Sequence, residues 1–125
     1  MDVIEIETKR RTEIVDITDE VAKRAGGSAV LVYTPHTTTA VIINEGESRL
    51  IEDVINFLER IAPRGAGYRH DEIDSNADAH IKASLLGNAV VVPVENGRLA
   101  LGTWQRILFV ELDGPRLRRV YVKLL

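Results

Sequence analysis

Short apolar runs, rich in valine and isoleucine, recur along this 125-residue sequence between glycine, proline and polar turns. The run Val3–Glu7 alternates apolar and acidic residues, which is typical of a half-buried strand. The run at 28–34 is continuous, which indicates a strand buried on both faces, and 107–112 is predicted as a further strand. Most links between runs are as short as hairpin turns. The sequence therefore predicts about eight strands in mostly antiparallel sheets.

Helix signals occur in three segments. Thr18 begins a first helix that runs to about Ala25 before two glycines, and a third runs from Ser75 or Asn76 to Gly87. Between them, Asn44 and Glu47 resemble a capping box that opens a helix. That helix carries an apolar stripe predicted to face the core, formed by Leu50, Ile51, Val54, Ile55, Leu58 and Ile61.

These elements together predict an α+β fold in one domain, 1–125: a mostly antiparallel two-sheet β-sandwich with two or three helices. Segments 3–7 and 12–17 are expected to pair as a hairpin. The basic and apolar strand at 119–124 is expected to lie at a sheet edge that a second subunit covers.

Composition narrows the classes of function. A net charge of −3 argues against nucleic acid as the main partner, because phosphate binding usually leaves a basic surface. The absence of cysteine excludes disulfides and thiolate chemistry. No apolar run approaches the ~20 residues that cross a membrane, and no signal pattern opens the chain. We therefore expect a cytoplasmic protein without a membrane partner.

The stretch Tyr68–Lys82 concentrates polar chemistry, with two of the three histidines, four acids and an amide. If His36 meets His70 and His80 there, three imidazoles form a set of the kind that holds catalytic zinc. The spacing alone does not require this. Each histidine is equally compatible with a hydrogen bond to the backbone or with an exposed loop.

Acids and amides near helix starts form a second group of candidates. Asp78 is a candidate general acid or base, although a first-turn acid also stabilises a helix dipole. Asn44 and Glu45 follow a buried strand, where an anion or a catalytic carboxylate fits and plain capping fits as well. Asn76 lies four residues before His80, on the same helix face, unless its side chain only caps the helix.

Several further residues are candidates for substrate binding. Thr38, within a run of three threonines, offers a hydroxyl, and Arg116 beside a Gly-Pro turn offers a guanidinium to phosphate. Trp104 offers a face on which a heteroaromatic ligand stacks, with Gln105 beside it. The alternatives are β-propensity for the threonines, an exposed turn for the arginine and core packing for the tryptophan.

An ordered set of segments resembles the YjbQ family. They are Pro-His-Thr-Thr-Thr-Ala at 35–40, Asn-Glu at 44–45, Asn-Ala-Asp-Ala-His-Ile-Lys at 76–82, and the segments 97–105 and 111–116. The resemblance implies a two-sheet sandwich, a homotrimer, a cytoplasmic location and an association with thiamine-phosphate synthase activity. It also implies that the polar family positions are His36, Asn44, Glu45, His70, Asp78, His80, Trp104 and Gln105.

The leading hypothesis is a small metal-dependent enzyme acting on a phosphorylated or heteroaromatic metabolite. Zinc, or alternatively magnesium, would be the metal, held by His36, His70 and His80. Glu45, Asp78 and Asn44 would be the catalytic groups. Substrate would contact Thr38, Asn76, Trp104, Gln105 and Arg116. The alternatives are a non-catalytic trimer that binds a metal or a small anion, and a polar network that only ties subunits together.

Overall fold

Eight strands and three α-helices follow one another in a computed structural model that describes residues 1–125. The strands are β1 (Asp2–Glu7), β2 (Glu13–Asp16), β3 (Ala29–Tyr33), β4 (Thr39–Asn44), β5 (Ala89–Glu95), β6 (Arg98–Leu99), β7 (Arg106–Glu111) and β8 (Leu117–Leu124). The helices are α1 (Thr18–Ala22), α2 (Ser48–Ile61) and α3 (Ala77–Leu86), with a 3₁₀ turn at Arg69–Glu72. No helix is both long and apolar enough to span a membrane.

The strands form two antiparallel sheets. One has the order β1-β8-β3-β5-β6 and the other has the order β2-β7-β4. The predicted α+β class with two antiparallel sheets is therefore confirmed.

Strand β7 illustrates how the layers are packed. Ile107 and Phe109 lie in the core between the two sheets, while Val110 and Leu112 belong to a second cluster under the helices. Successive side chains of a strand point to opposite faces, so the run 107–112, which is apolar except for Glu111, packs into both layers. Burial of each such side chain contributes about 1.5–3 kcal/mol.

Helices α2 and α3 cover the outer face of the three-stranded sheet. Leu58 from α2 and Ala79 and Ala83 from α3 pack there. The predicted core stripe of α2 is only partly buried, because Leu58 alone is fully covered and Ile61 is 47% exposed. The end of α3 is as predicted: Gly87 follows its last residue with φ of 93°, a value that glycine adopts without strain.

Two predictions about the positions of strands are wrong. Strands β1 and β2 do not form a hairpin, because β1 pairs with β8 and β2 pairs with β7 in the other sheet. Strand β8 is not an edge, since β1 and β3 flank it. The apolar residues Ile4 and Ile6 are buried against Val120 and Val122, and this non-local packing outweighs the short link between β1 and β2.

The start of α2 also differs from the prediction. Asn44 ends β4 rather than capping the helix, and the cap is Glu47, whose carboxylate accepts a hydrogen bond from the backbone N–H of Leu50 at 2.7 Å. The extra residues between strand and helix allow the chain to turn. Helix α1 ends at Ala22, earlier than expected.

Candidate functional site

A polar cleft opens between the loop that joins β3 to β4, the first turns of α3 and the start of β8. It consists of two adjoining cavities of about 580 and 510 Å³, which share Pro35, His36, Thr37 and His80. No hydrophobic side chain lines the smaller cavity. Its other lining residues are Thr38, Asp74, Asn76, Asp113, Arg116 and Arg118.

His36 lies on the β3–β4 loop and is locked by the backbone of β8. Its Nε2 accepts a hydrogen bond from the Arg119 N–H at 3.0 Å, so a neutral ring carries its proton on Nδ1. Burial lowers the pKa of His36, and the charge of Arg118 lowers it further, although Glu111 opposes this. At neutral pH His36 is therefore an uncharged hydrogen-bond donor.

His80 borders both cavities from the first turns of α3, and its imidazole makes no hydrogen bond within the chain. Its ring meets that of His70 edge to face, with centroids 4.8 Å apart. His70 lies in the 3₁₀ turn behind His80 and lines neither cavity. A free imidazole in a cleft can carry a proton to or from a ligand.

The three histidines do not form a ligand set in this arrangement. No group of three or more His, Asp or Glu side chains is placed to hold one metal ion. The Nε2 lone pair of His36 is already used by the N–H of Arg119. In this arrangement the three histidines are not placed around one metal ion, and we derive no step through a metal.

Beneath His36, a buried ion pair joins the last residue of β7 to β8. Arg118 Nε donates to Glu111 Oε1 at 2.8 Å, and Nη2 donates to Glu111 Oε2 at 2.5 Å and to Thr38 Oγ1 at 2.9 Å. Glu111 is fully buried and Arg118 is 4% exposed. Thr8 Oγ1 and the Asp113 N–H also donate to Glu111, which completes its hydrogen bonding.

Asp113 ties two predicted substrate-binding residues together. Its Oδ2 accepts from Asn76 Nδ2 at 2.8 Å and from Arg116 Nη2 at 3.0 Å. The side chain of Asn76 therefore does not cap α3, and Asp71 accepts from the Ala77 N–H instead. Asn76 Oδ1 is buried without a partner in the chain.

Asp78, in the first turn of α3, belongs to a buried ionic network. It accepts from Arg11 Nη2 at 3.0 Å and from Lys82 Nζ at 2.9 Å, and it is 1% exposed. Burial raises the pKa of Asp78, but the hydrogen bonds and charges of Arg11 and Lys82 outweigh burial and hold the pKa below its usual range. A carboxylate held this way remains ionised, and it borders neither cavity of the cleft.

The remaining predicted residues lie on a second surface. Asn44, Glu45, Trp104 and Gln105 line two other cavities, which share no residue with the cleft. Asn44 Oδ1 accepts from the Glu45 N–H at 2.8 Å, and Gln105 Oε1 accepts from the Gly102 N–H at 2.8 Å. Trp104 is 72% exposed, so it is not a core residue.

The structure thus divides the predicted site. It brings Thr38, Asn76, Arg116, His36 and His80 together, with His70 directly behind. Glu111 and its role in fixing Arg118 were missed by sequence reasoning. A signal existed, because Glu111 directly follows the apolar run Ile107–Val110, and an acid carried into the interior by such a strand must find a partner.

The protein is therefore of the class that combines a two-sheet α+β fold with a polar cleft beside a helix, bordered by histidines and arginines. A sequence model described as UPF0047 protein YjbQ-like matches residues 2–125. The chain therefore belongs to the YjbQ/UPF0047 family, as the resemblance implied.

Relatives and solved structures agree with this assignment. A UPF0047 protein from Archaeoglobus fulgidus is 64% identical over 122 residues, covering 96% of this chain and 97% of that protein. The UPF0047 protein YugU of Bacillus subtilis is 39% identical, covering 98% and 96%. A hypothetical protein from Aeropyrum pernix superposes with a TM-score of 0.95 at 42% identity, covering 99% and 96%. A YjbQ/UPF0047 family protein from Clostridium acetobutylicum gives 0.94 at 37% identity, covering all of both chains.

Proposed function

We propose that the chain is an enzyme whose cleft binds a small phosphorylated metabolite. The observation that carries this proposal is the pair His36 and His80, which border one cleft together with Arg116 and Arg118. Guanidinium groups suit phosphate oxygens, and imidazoles suit proton transfer near neutral pH.

The two histidines have different roles in this proposal. His36, uncharged and fixed by the Arg119 N–H, donates from Nδ1 to a substrate oxygen. His80, with no hydrogen bond of its own within the chain, takes up or delivers the proton. Oriented donors stabilise charge that develops on the substrate, and a positioned base removes or supplies the proton.

Ligand screening and substitution test the proposal together. Phosphorylated metabolites are screened for a raised melting temperature, since ligand at 100 times Kd adds about 2.7 kcal/mol of stability. Hits are then followed for turnover by phosphorus NMR. We expect His80→Ala to abolish turnover while binding changes little, and Asn56→Ala, on the exposed side of α2, to change neither. Full turnover by His80→Ala would refute the assignment.

Thiamine-phosphate synthesis is the particular activity that the family resemblance implies, and we propose it as the first reaction to assay. It joins a pyrimidine diphosphate to a thiazole phosphate, and loss of diphosphate needs charge neutralisation. The arginines of the cleft support this match. The assay supplies both substrates with and without Mg²⁺, and absence of product with wild-type protein would exclude this substrate pair.

Zinc binding by the histidines stays a prediction. Metal analysis of protein purified without chelators tests it. About one zinc per chain, lost in His80→Ala, would support it, and its absence under zinc-replete growth would contradict it. Binding would require the His36 ring to release the Arg119 N–H.

A homotrimer also stays a proposal. Contacts between unlike surfaces of successive copies form a ring when the rotation closes. Such a ring can bring the surface with Glu45 and Trp104 of one copy to the cleft of the next. Light scattering after size-exclusion chromatography gives the assembly size. Mixing inactive His80→Ala with inactive Glu45→Gln tests a shared site. Recovered activity supports it, and a fully active Glu45→Gln contradicts a catalytic Glu45.

A further inference from the structure

Arg116 and Arg118 both border the cleft, but they are held very differently. The side chain of Arg116 is 55% exposed and bonds only to Asp113, three residues earlier in the same turn. The side chain of Arg118 is 5% exposed and is bonded to β7 and to the β3–β4 loop. Binding an anion therefore requires less ordering of Arg118 than of Arg116.

The hydrogen bonds of Arg118 leave one edge of its guanidinium free. A guanidinium has five N–H groups: one on Nε and two on each terminal nitrogen. Nε uses its own on Glu111, and Nη2 uses both of its own on Glu111 and Thr38. Nη1 has no partner within the chain. The two remaining donors therefore lie on one nitrogen of a residue that borders the cleft.

Glu111 determines which edge is free. It holds Nε and Nη2 together, and it is itself fixed by Thr8 and by the backbone N–H of Asp113. Without this carboxylate the guanidinium can rotate, and Nη1 loses its fixed direction. Glu111 also balances the charge of Arg118, so recognition here depends on directed donors more than on net positive charge.

We infer that Arg118 is the anion anchor of the cleft, presenting Nη1 to a phosphate oxygen, and that Glu111 is the positioning residue that aims it. This inference rests on the proposed function and specifies how its substrate is held. His36 lies close enough to Arg118 for its pKa to respond to an anion bound there, because the charge of Arg118 already helps to keep the imidazole neutral. A phosphate bound to Arg118 adds negative charge beside that ring and raises the pKa of His36.

The test measures binding of inorganic phosphate and of ethyl phosphate by calorimetry, and the pKa of His36 by NMR titration with and without phosphate. We expect Arg118→Lys to weaken binding at least about tenfold, since lysine cannot bond Glu111 on two sides and still aim a donor. Arg116→Lys should weaken it by less than about threefold, and Arg98→Lys, in the exposed strand β6, should leave it unchanged. Phosphate should raise the pKa of His36 in the wild type and not in Arg118→Lys.

Glu111 is tested by Glu111→Gln, alone and combined with Arg118→Lys. If Glu111 acts through Arg118, the double variant binds no more weakly than Arg118→Lys alone. Thr38→Val covers the case in which Glu111→Gln does not fold, because it removes the other acceptor of Arg118 and should weaken binding about threefold.

The outcomes separate the inference from the proposed function. If wild-type protein binds neither phosphate compound, both fail. If it binds them and Arg118→Lys binds equally well, or if Arg116→Lys causes the larger loss, the anchor assignment fails while the proposed function stands. If phosphate leaves the pKa of His36 unchanged although it binds, the anion lies elsewhere and the anchor assignment is again refuted.

Discussion

Asp78 and Glu59 offer a matched test of what holds the helix layer to the rest of the fold. Both carboxylates accept a hydrogen bond from Lys82 Nζ at 2.9 Å. Asp78 is 1% exposed, whereas the side chain of Glu59 is 54% exposed. We expect Asp78→Asn to destabilise the protein strongly and Glu59→Gln to have little effect.

The magnitudes follow from burial. Removing one partner of a buried ion pair costs about 3–5 kcal/mol, because the other charge stays buried and uncompensated. Arg11 is 22% exposed and Lys82 keeps Glu59, so the lower end, about 3 kcal/mol, applies to Asp78→Asn. For a chain of this size that loss lowers the melting temperature by about 10 °C. Glu59→Gln breaks an exposed contact worth at most about 1 kcal/mol.

Urea unfolding at one fixed protein concentration measures both variants at pH 7 and again near pH 3. The pKa of Asp78 is lowered in the folded state, so its ionised form contributes stability above the unfolded pKa of about 3.9, and this contribution is lost as the pH falls further. The gap between wild type and Asp78→Asn should therefore shrink at low pH. Equal losses for Asp78→Asn and Glu59→Gln at pH 7 would refute the reasoning.

Further predictions concern His36 and two glycines. The pKa of His36 is lowered on folding, so the unfolded chain takes up a proton first as the pH falls below about 6.5, and the folded state loses stability. His36→Gln lacks this group and should therefore lose less stability than wild type between pH 7.5 and 5.5, as measured by urea unfolding. An identical loss in the two proteins would contradict this. Gly114→Ala should destabilise by more than about 2 kcal/mol, since the added Cβ would lie 2.5 Å from the Arg10 carbonyl oxygen. Gly87→Ala meets no neighbour, but its φ of 93° and ψ of 162° lie in a region almost confined to glycine, so it should cost about 1–3 kcal/mol by backbone strain alone. Calorimetry measures both variants, and a loss below about 1 kcal/mol in Gly114→Ala would count against the close contact there.

Local patterns predicted individual elements well, because alternation, caps and breakers act over a few residues. The run 107–112 became β7, and Asn76 and Gly87 flank α3 as expected. Pairing was harder to predict. The short link between the first two strands favoured a hairpin, but burial of Ile4 and Ile6 against β8 determined the actual partner.

The grouping of the candidate residues was predicted only in part for a similar reason. Spacing cannot tell which surface a loop will face. The sequence therefore grouped His36 and Glu45, although they lie on separate surfaces of the chain. Asp78 also looked chemically active from its position alone, and only its contacts with Arg11 and Lys82 reveal a charge held by buried cations.

The ladder between β1 and β8 has a consequence for folding kinetics. Residues 2–7 pair with residues 117–122, so this part of the five-stranded sheet forms only after a loop of more than a hundred residues has closed. Such non-local pairing slows folding, and it is this same ladder that carries Arg118 to the cleft. On the inference that Arg118 anchors phosphate, a chain that has not yet paired β1 with β8 lacks the fixed Arg118. Phosphate binding and completion of the sheet should then appear with the same rate in a refolding experiment.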